Sequence, residues 1–144
     1  MGFAMRMPLN EEIIKKDSYR DEYINGKNQG FSFLVQLAYY RGHYLSDIDE
    51  LSVTVDGESI PQEAITFELN GKELPIYKVK EAYTEFWSQV EPARIHVIKP
   101  GGLVPGSHEV KLDLMLRIPY MEIGTNHTFM PLDSGDTVVI EVEA

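Results

Sequence analysis

The sequence predicts an all-β fold, an antiparallel β-sandwich of jelly-roll-like form with about seven or eight strands and at most one short helix. The first observation behind this is the segment His108 to Ile118. Val110, Leu112, Leu114, Leu116 and Ile118 share one parity with His108, while Glu109, Lys111, Asp113, Met115 and Arg117 hold the other. A period of two marks a strand with one face in a core and one in water. The second is the stretch before it, Lys99-Pro100-Gly101-Gly102-Leu103-Val104-Pro105-Gly106, whose prolines and glycines make a turn-rich corner. The third is the recurrence of Asn-Gly and Asp-Gly pairs between short alternating runs, the local mark of antiparallel hairpins.

Residues 1–144 read as one domain with no linker or internal repeat, and Met1 to Asn10 as a loose N-terminal segment. Ile13-Ile14 begins a short strand, and Ser18 to Ile24, polar and aromatic, suits an edge strand or loop. Asn25-Gly26 and Gly30 bracket a turn. Phe31, Phe33, Val35, Leu37 and Tyr39 then alternate with Ser32, Leu34, Gln36, Ala38 and Tyr40. The second set is less polar than a wet face, so this strand is expected to be covered on both sides. Leu51, Val53 and Val55 alternate with Ser52 and Thr54, and Asp56-Gly57 closes a turn after them. Ile65, Phe67 and Leu69 alternate with Thr66 and Glu68 before Asn70-Gly71, and Lys72 to Ile76 returns. Ala93, Ile95 and Val97 form another strand, and Val138, Ile140 and Val142 the last. The helix candidate is Tyr77 to Val90, in which Tyr83 and Trp87 would share a face at i, i+4. Its threonine and aromatics also suit a strand.

A chain of 144 residues is long enough for one domain with a substantial core. With no cysteine, disulfides and thiolate metal sites are excluded, which fits a reducing compartment. The net charge of −10 argues against nucleic acid, whose binding depends on neutralising phosphates, and against anionic membranes. No apolar run approaches the roughly 18 residues of a membrane helix. Met1 to Pro8 lacks the apolar stretch of about 7–15 residues found in signal peptides. The expected location is the cytoplasm.

The four histidines, His43, His96, His108 and His127, stand in no HxH, HExxH or HxxxH arrangement. Pro105-Gly106-Ser107-His108-Glu109 lacks the second histidine of a cupin-type GxHxH segment, so no metal ligand is assigned in this chain. There is no GxSxG nucleophile elbow. The acidic residues lie mainly at polar-parity positions and turns, where a solvated role is the default. Tyr39-Tyr40-Arg41-Gly42-His43-Tyr44 is different. Tyrosine and arginine supply rigid contact area with polar tips and are enriched at binding hot spots. Tyr39, Tyr40, Arg41, His43, Tyr44 and Trp87 are therefore the candidate partner- or substrate-contacting residues. For each the alternative is a core-capping role. No catalytic residue is assigned.

Three segments together resemble the small, or β, subunit family of bacterial C-glycoside deglycosidases. They are Phe31 to Ser46 (FSFLVQLAYYRGHYLS), the hairpin Val53-Thr54-Val55-Asp56-Gly57, and Lys99 to Val110 with its KPGGL-PG-H pattern. Ala38 departs from the proline expected in LAYYRG, and Glu122 to Asp136 is unmatched. The resemblance implies a sandwich-like β protein that pairs with a larger, sugar isomerase/epimerase-like barrel subunit. That partner would carry a divalent metal, expected to be manganese, with no cofactor in this chain. The complex would cleave the carbon–carbon bond between a 3-keto sugar and a flavonoid-type aglycone: the ketone acidifies the neighbouring C–H, a base removes that proton, and the metal stabilises the enolate. The chemistry would then lie in the larger subunit, making this chain the accessory subunit of a lyase complex, non-catalytic alone. Two rivals are a free-standing carbohydrate-binding module and a structural domain of another assembly. The absence of a signal peptide and linker favours the subunit.

Overall fold

A computed structural model describes residues 13–37, 42–122 and 129–143. The strands are β1 (Ile14–Ile24), β2 (Lys27–Val35), β3 (His43–Tyr44), β4 (Ile48–Val55), β5 (Glu58–Ser59), β6 (Ile65–Leu69), β7 (Lys72–Pro75), β8 (Phe86–Trp87), β9 (Ala93–Ile98), β10 (Gly106–Glu122), β11 (Phe129–Asp133) and β12 (Asp136–Val142). One sheet has the order β1-β2-β9-β6-β7. The other has the order β11-β10-β4-β5, with β12 also on β10, and β3 and β8 make a separate ribbon. The pairings are antiparallel, as expected of a sandwich built from hairpins.

Alternation decides which face each strand buries. Phe31, Phe33 and Val35 of β2, Ile65, Phe67 and Leu69 of β6, and Ala93, Ile95 and Val97 of β9 line the first sheet's inner face. Val53 and Val55 of β4 and Val110, Leu112, Leu114, Leu116 and Ile118 of β10 line the second. At Asn25-Gly26, Asp56-Gly57 and Asn70-Gly71 both residues have positive φ. That is the type I′ turn, whose twist matches the strands it joins. Gly30, expected to bracket the first turn, instead sits inside β2. A Cβ there would fall 1.9 Å from the carbonyl oxygen of Val97, so only glycine lets β9 approach this closely.

β2 is covered on both faces, in the manner the sequence suggested, but by polar groups. Ser32 is fully buried on the outer face, where Arg94 donates to its hydroxyl at 2.8 Å. β11 went unforeseen because Pro131 breaks the strand pattern. Proline is tolerated here because this is an edge position. β12 and β11 follow one another along the same edge of β10, opposite Gly106–Leu112 and Met115–Glu122 respectively. They join at Ser134-Gly135, where Ser134 N–H donates to the carbonyl of Leu114 at 2.9 Å.

The helix expected over Tyr77 to Val90 does not form. Ile76–Glu81 is a 3-10 helix, and Phe86–Trp87 is strand β8. Tyr83 is 71% exposed and Trp87 fully buried, so they share no face. Burying Trp87 edge-on against Phe67, at a ring separation of 5.2 Å, requires extended chain and overrides the i, i+4 pattern.

The register separates two ends. Val35 pairs with Ala93, while Gly30 pairs with Ile98. The ribbon and the 70–71 turn therefore lie at one end. The 25–26 turn, the 56–57 turn and the Lys99–Gly106 corner lie at the other. Five residues of strand separate them by about 17 Å.

Candidate functional site

Of the six predicted contact residues, Tyr39, Tyr40 and Arg41 lie outside the described residues, as do His127 and the N-terminal segment. The other three meet in the β3–β8 ribbon, where His43 pairs with Trp87 and Tyr44 with Phe86. Alternation splits them by face. His43 and Trp87 point inward, at 3% and 0% exposure. Trp87 thus takes the core role of the two its sequence allowed. Its indole N–H donates to the carbonyl of Glu91 at 2.8 Å, and His43 Nδ1 lies 3.4 Å from the Asp47 carboxylate.

Tyr44 and Phe86 face outward, roughly half exposed, and meet edge to face at 5.1 Å. Phe86 was missed because nothing in its own segment marks it; its role comes from pairing with Tyr44. Gly42 makes the arrangement possible. A Cβ there would lie 2.5 Å from the carbonyl oxygen of Trp87 and 2.6 Å from the Phe86 ring. The ribbon is tied down by Leu45 N–H donating to the carbonyl of Glu85 at 2.9 Å and by the Lys72–Glu85 ion pair at 2.7 Å. Asn70 also donates to the carbonyl of Phe86 at 3.3 Å. The result is a fixed pair of aromatic rings at one end of the sandwich, suited to stacking or to packing against another protein.

At the opposite end His108 joins the corner to a turn. Its Nδ1 is 2.7 Å from an Asp56 carboxylate oxygen, and its Nε2 is 2.6 Å from the carbonyl of Val104. The Asp56 bond, then the Val104 bond, raise the histidine's pKa above its usual value. The bond to His108 and the N–H of Glu109, which donates at 2.8 Å, hold the Asp56 carboxyl below the usual range. This geometry clamps the corner onto the 56–57 hairpin.

A third constellation was not legible in the sequence. His96, on the outer face of the first sheet, sits among Glu22, Glu68 and Glu73. These four residues come from four strands, and no local spacing connects them. Among the described residues, Glu68, Glu73 and His96 are a set whose ligand atoms lie within 4.8 Å of one another. No helix among the described residues is long and apolar enough to cross a membrane.

Comparison with known proteins gives a consistent result. A model of the C-glycoside deglycosidase beta subunit family matches residues 9–120. The chain is 33% identical over 114 residues to a C-glycoside deglycosidase beta subunit of Eubacterium cellulosolvens, covering 78% of each chain. It is 32% identical over 108 residues to one of Arthrobacter globiformis, covering 73% of this chain and 80% of the relative. It is also 32% identical over 130 residues to a 3′-dehydrocarminate deglycosidase beta subunit of a Microbacterium species, covering 90% of each.

Proposed function

Because the chain belongs to the C-glycoside deglycosidase beta subunit family, we propose that it is the accessory subunit of a carbon–carbon lyase complex. In this reading it pairs with a larger, barrel-shaped subunit, stabilises it and helps wall the pocket for a 3-keto C-glycoside. The carbon–carbon cleavage, and the divalent metal that assists it, are assigned to the larger subunit. The family match over residues 9–120 is the observation that carries the reading. The Tyr44–Phe86 pair supports it, because two half-exposed rings held rigidly cost little further ordering on contact. Tyr39, Tyr40 and Arg41, which precede Gly42 in the chain, join them as proposed contacts. A guanidinium there would stack on a flat aglycone or pair with a carboxylate of the larger subunit.

The test is co-expression with the larger subunit, followed by size-exclusion chromatography and turnover of a 3-keto C-glycoside. One co-eluting complex is expected, as for permanent interfaces that bury more than about 2,000 Å². The complex should be active and this chain alone inactive. Clean separation of the two chains at micromolar concentration would overturn the reading.

A further inference from the structure

We propose that His96, Glu68 and Glu73 form a divalent-cation site on the outer face of the first sheet, with Glu22 orienting the imidazole. The register builds it. Ser32, His96 and Thr66 lie in one cross-strand row, and Arg94 and Glu68 face each other in the next, with Glu73 opposite Glu68. Glu68 is therefore the diagonal neighbour of His96, within reach of a long side chain. Glu22 is on β1, two strands from β9. It reaches His96 because β2 presents only Gly30 and Ser32 beneath it, side chains with no bulk.

The two imidazole nitrogens face different carboxylates. Glu22 takes Nδ1, which leaves Nε2 facing Glu68 Oε1 at 2.6 Å and Glu73 Oε1 at 4.0 Å. An unprotonated Nε2 and two carboxylates are all acceptors, a set that a cation between them would satisfy. A proton would join Nε2 to Glu68 and give Glu73 no part. Yet Glu73 is held in place: Thr66 donates to its Oε2 at 2.8 Å, which leaves Oε1 turned toward His96. Two ligands at about 2.1 Å from a tetrahedral ion stand about 3.4 Å apart. The observed 2.6 Å and 4.0 Å bracket that spacing, so small opposite swings of Glu68 and Glu73 would complete it. A carboxylate on the distal nitrogen of a ligating histidine is the usual outer support of such sites.

One nitrogen with two carboxylate oxygens selects a first-row divalent ion such as Zn²⁺ over Ca²⁺ or Mg²⁺, which prefer all-oxygen cages. A surface cavity of about 290 Å³, lined in part by Glu22, Thr66, Glu73 and His96, gives the ion and its remaining water ligands access. The inference departs from the metal-free chain expected from histidine spacing. It does not depend on the subunit reading, because its test needs no partner.

That test is calorimetric titration of Zn²⁺ into the chelator-treated full chain, with thermal melting in parallel. One ion per chain is expected, with a melting temperature that rises on addition. His96→Ala should abolish binding. Glu73→Gln, at an exposed position that folding tolerates, should weaken it at least tenfold. Glu22→Gln, which changes the group on His96 Nδ1 and removes no proposed ligand, should weaken it about 10–100-fold. Absence of Zn²⁺ binding at micromolar concentration, or binding unchanged in both His96→Ala and Glu73→Gln, would reduce the cluster to a histidine–carboxylate ion pair and overturn the proposal.

Discussion

His108 shows how one side chain ties distant parts of the chain together and makes that tie depend on pH. Both its nitrogens face acceptors, the Asp56 carboxylate and the Val104 carbonyl. A neutral imidazole can donate to only one of them, so the structure favours the imidazolium. With the histidine's pKa raised, its stabilisation is complete below the usual value of about 6.5 and is lost as pH rises through the folded value. With the Asp56 pKa lowered, its part is complete above about 3.9 and is lost as pH falls through the folded value. The pair therefore contributes fully between about pH 4 and 6.5, and solvent at the exposed Asp56 keeps the effect modest. His108→Gln should lower the melting temperature more at pH 5.5 than at pH 8.5. An equal loss at both would mean the clamp does not titrate. The sequence placed His108 correctly at a strand entrance. Its partner lies 52 residues away on another hairpin, a distance that no local pattern spans.

At the scale of elements, the two sides of the β3–β8 ribbon should respond differently to mutation. Trp87 fills the core against Phe67, so Trp87→Ala should cost about 3–5 kcal/mol in urea unfolding. The outward pair Tyr44→Ser/Phe86→Ser removes one edge-to-face contact, and about 1 kcal/mol of stability is at stake. If the ribbon docks the larger subunit, that double variant should keep its fold yet lose most of its association on size-exclusion chromatography. Unchanged assembly would remove the ribbon from the interface. This level also shows where sequence reading stopped. Strands with clean alternation, such as Leu51 to Val55 and Ile65 to Leu69, were legible because one face of each is buried and the other wet. The segment 77–90 was not, because its form is set by where Trp87 must go. β11 was hidden because Pro131 is acceptable only at an edge that tertiary pairing creates.

The whole molecule places the β3–β8 ribbon and the glycine-rich Lys99–Gly106 corner toward opposite ends of the sandwich. They cannot line one small site, so their roles should separate. The corner is built for folding. Lys99 N–H donates to the carbonyl of Gln29 at 2.8 Å and Gly101 N–H to that of Asn28 at 2.9 Å, pinning the corner to the β1–β2 hairpin. Gly102 is buried at φ +67°, and a Cβ there would meet the Asn28 amide at 2.5 Å. Asn28 in turn accepts from Gly30 N–H at 3.0 Å, so the amide is not free to give way. Gly102→Ala should therefore destabilise the chain by about 1–3 kcal/mol through backbone strain. The ribbon lies about 17 Å away along the strands, so effects at the two ends should be additive. Gly102→Ala should thus lower the melting temperature while leaving affinity for the proposed larger subunit within about twofold of the parent below the melting transition. The informative contrary result is a Gly102→Ala chain that melts like the parent but no longer assembles. It would put the docking surface at the corner end and leave the Tyr44–Phe86 pair without a function.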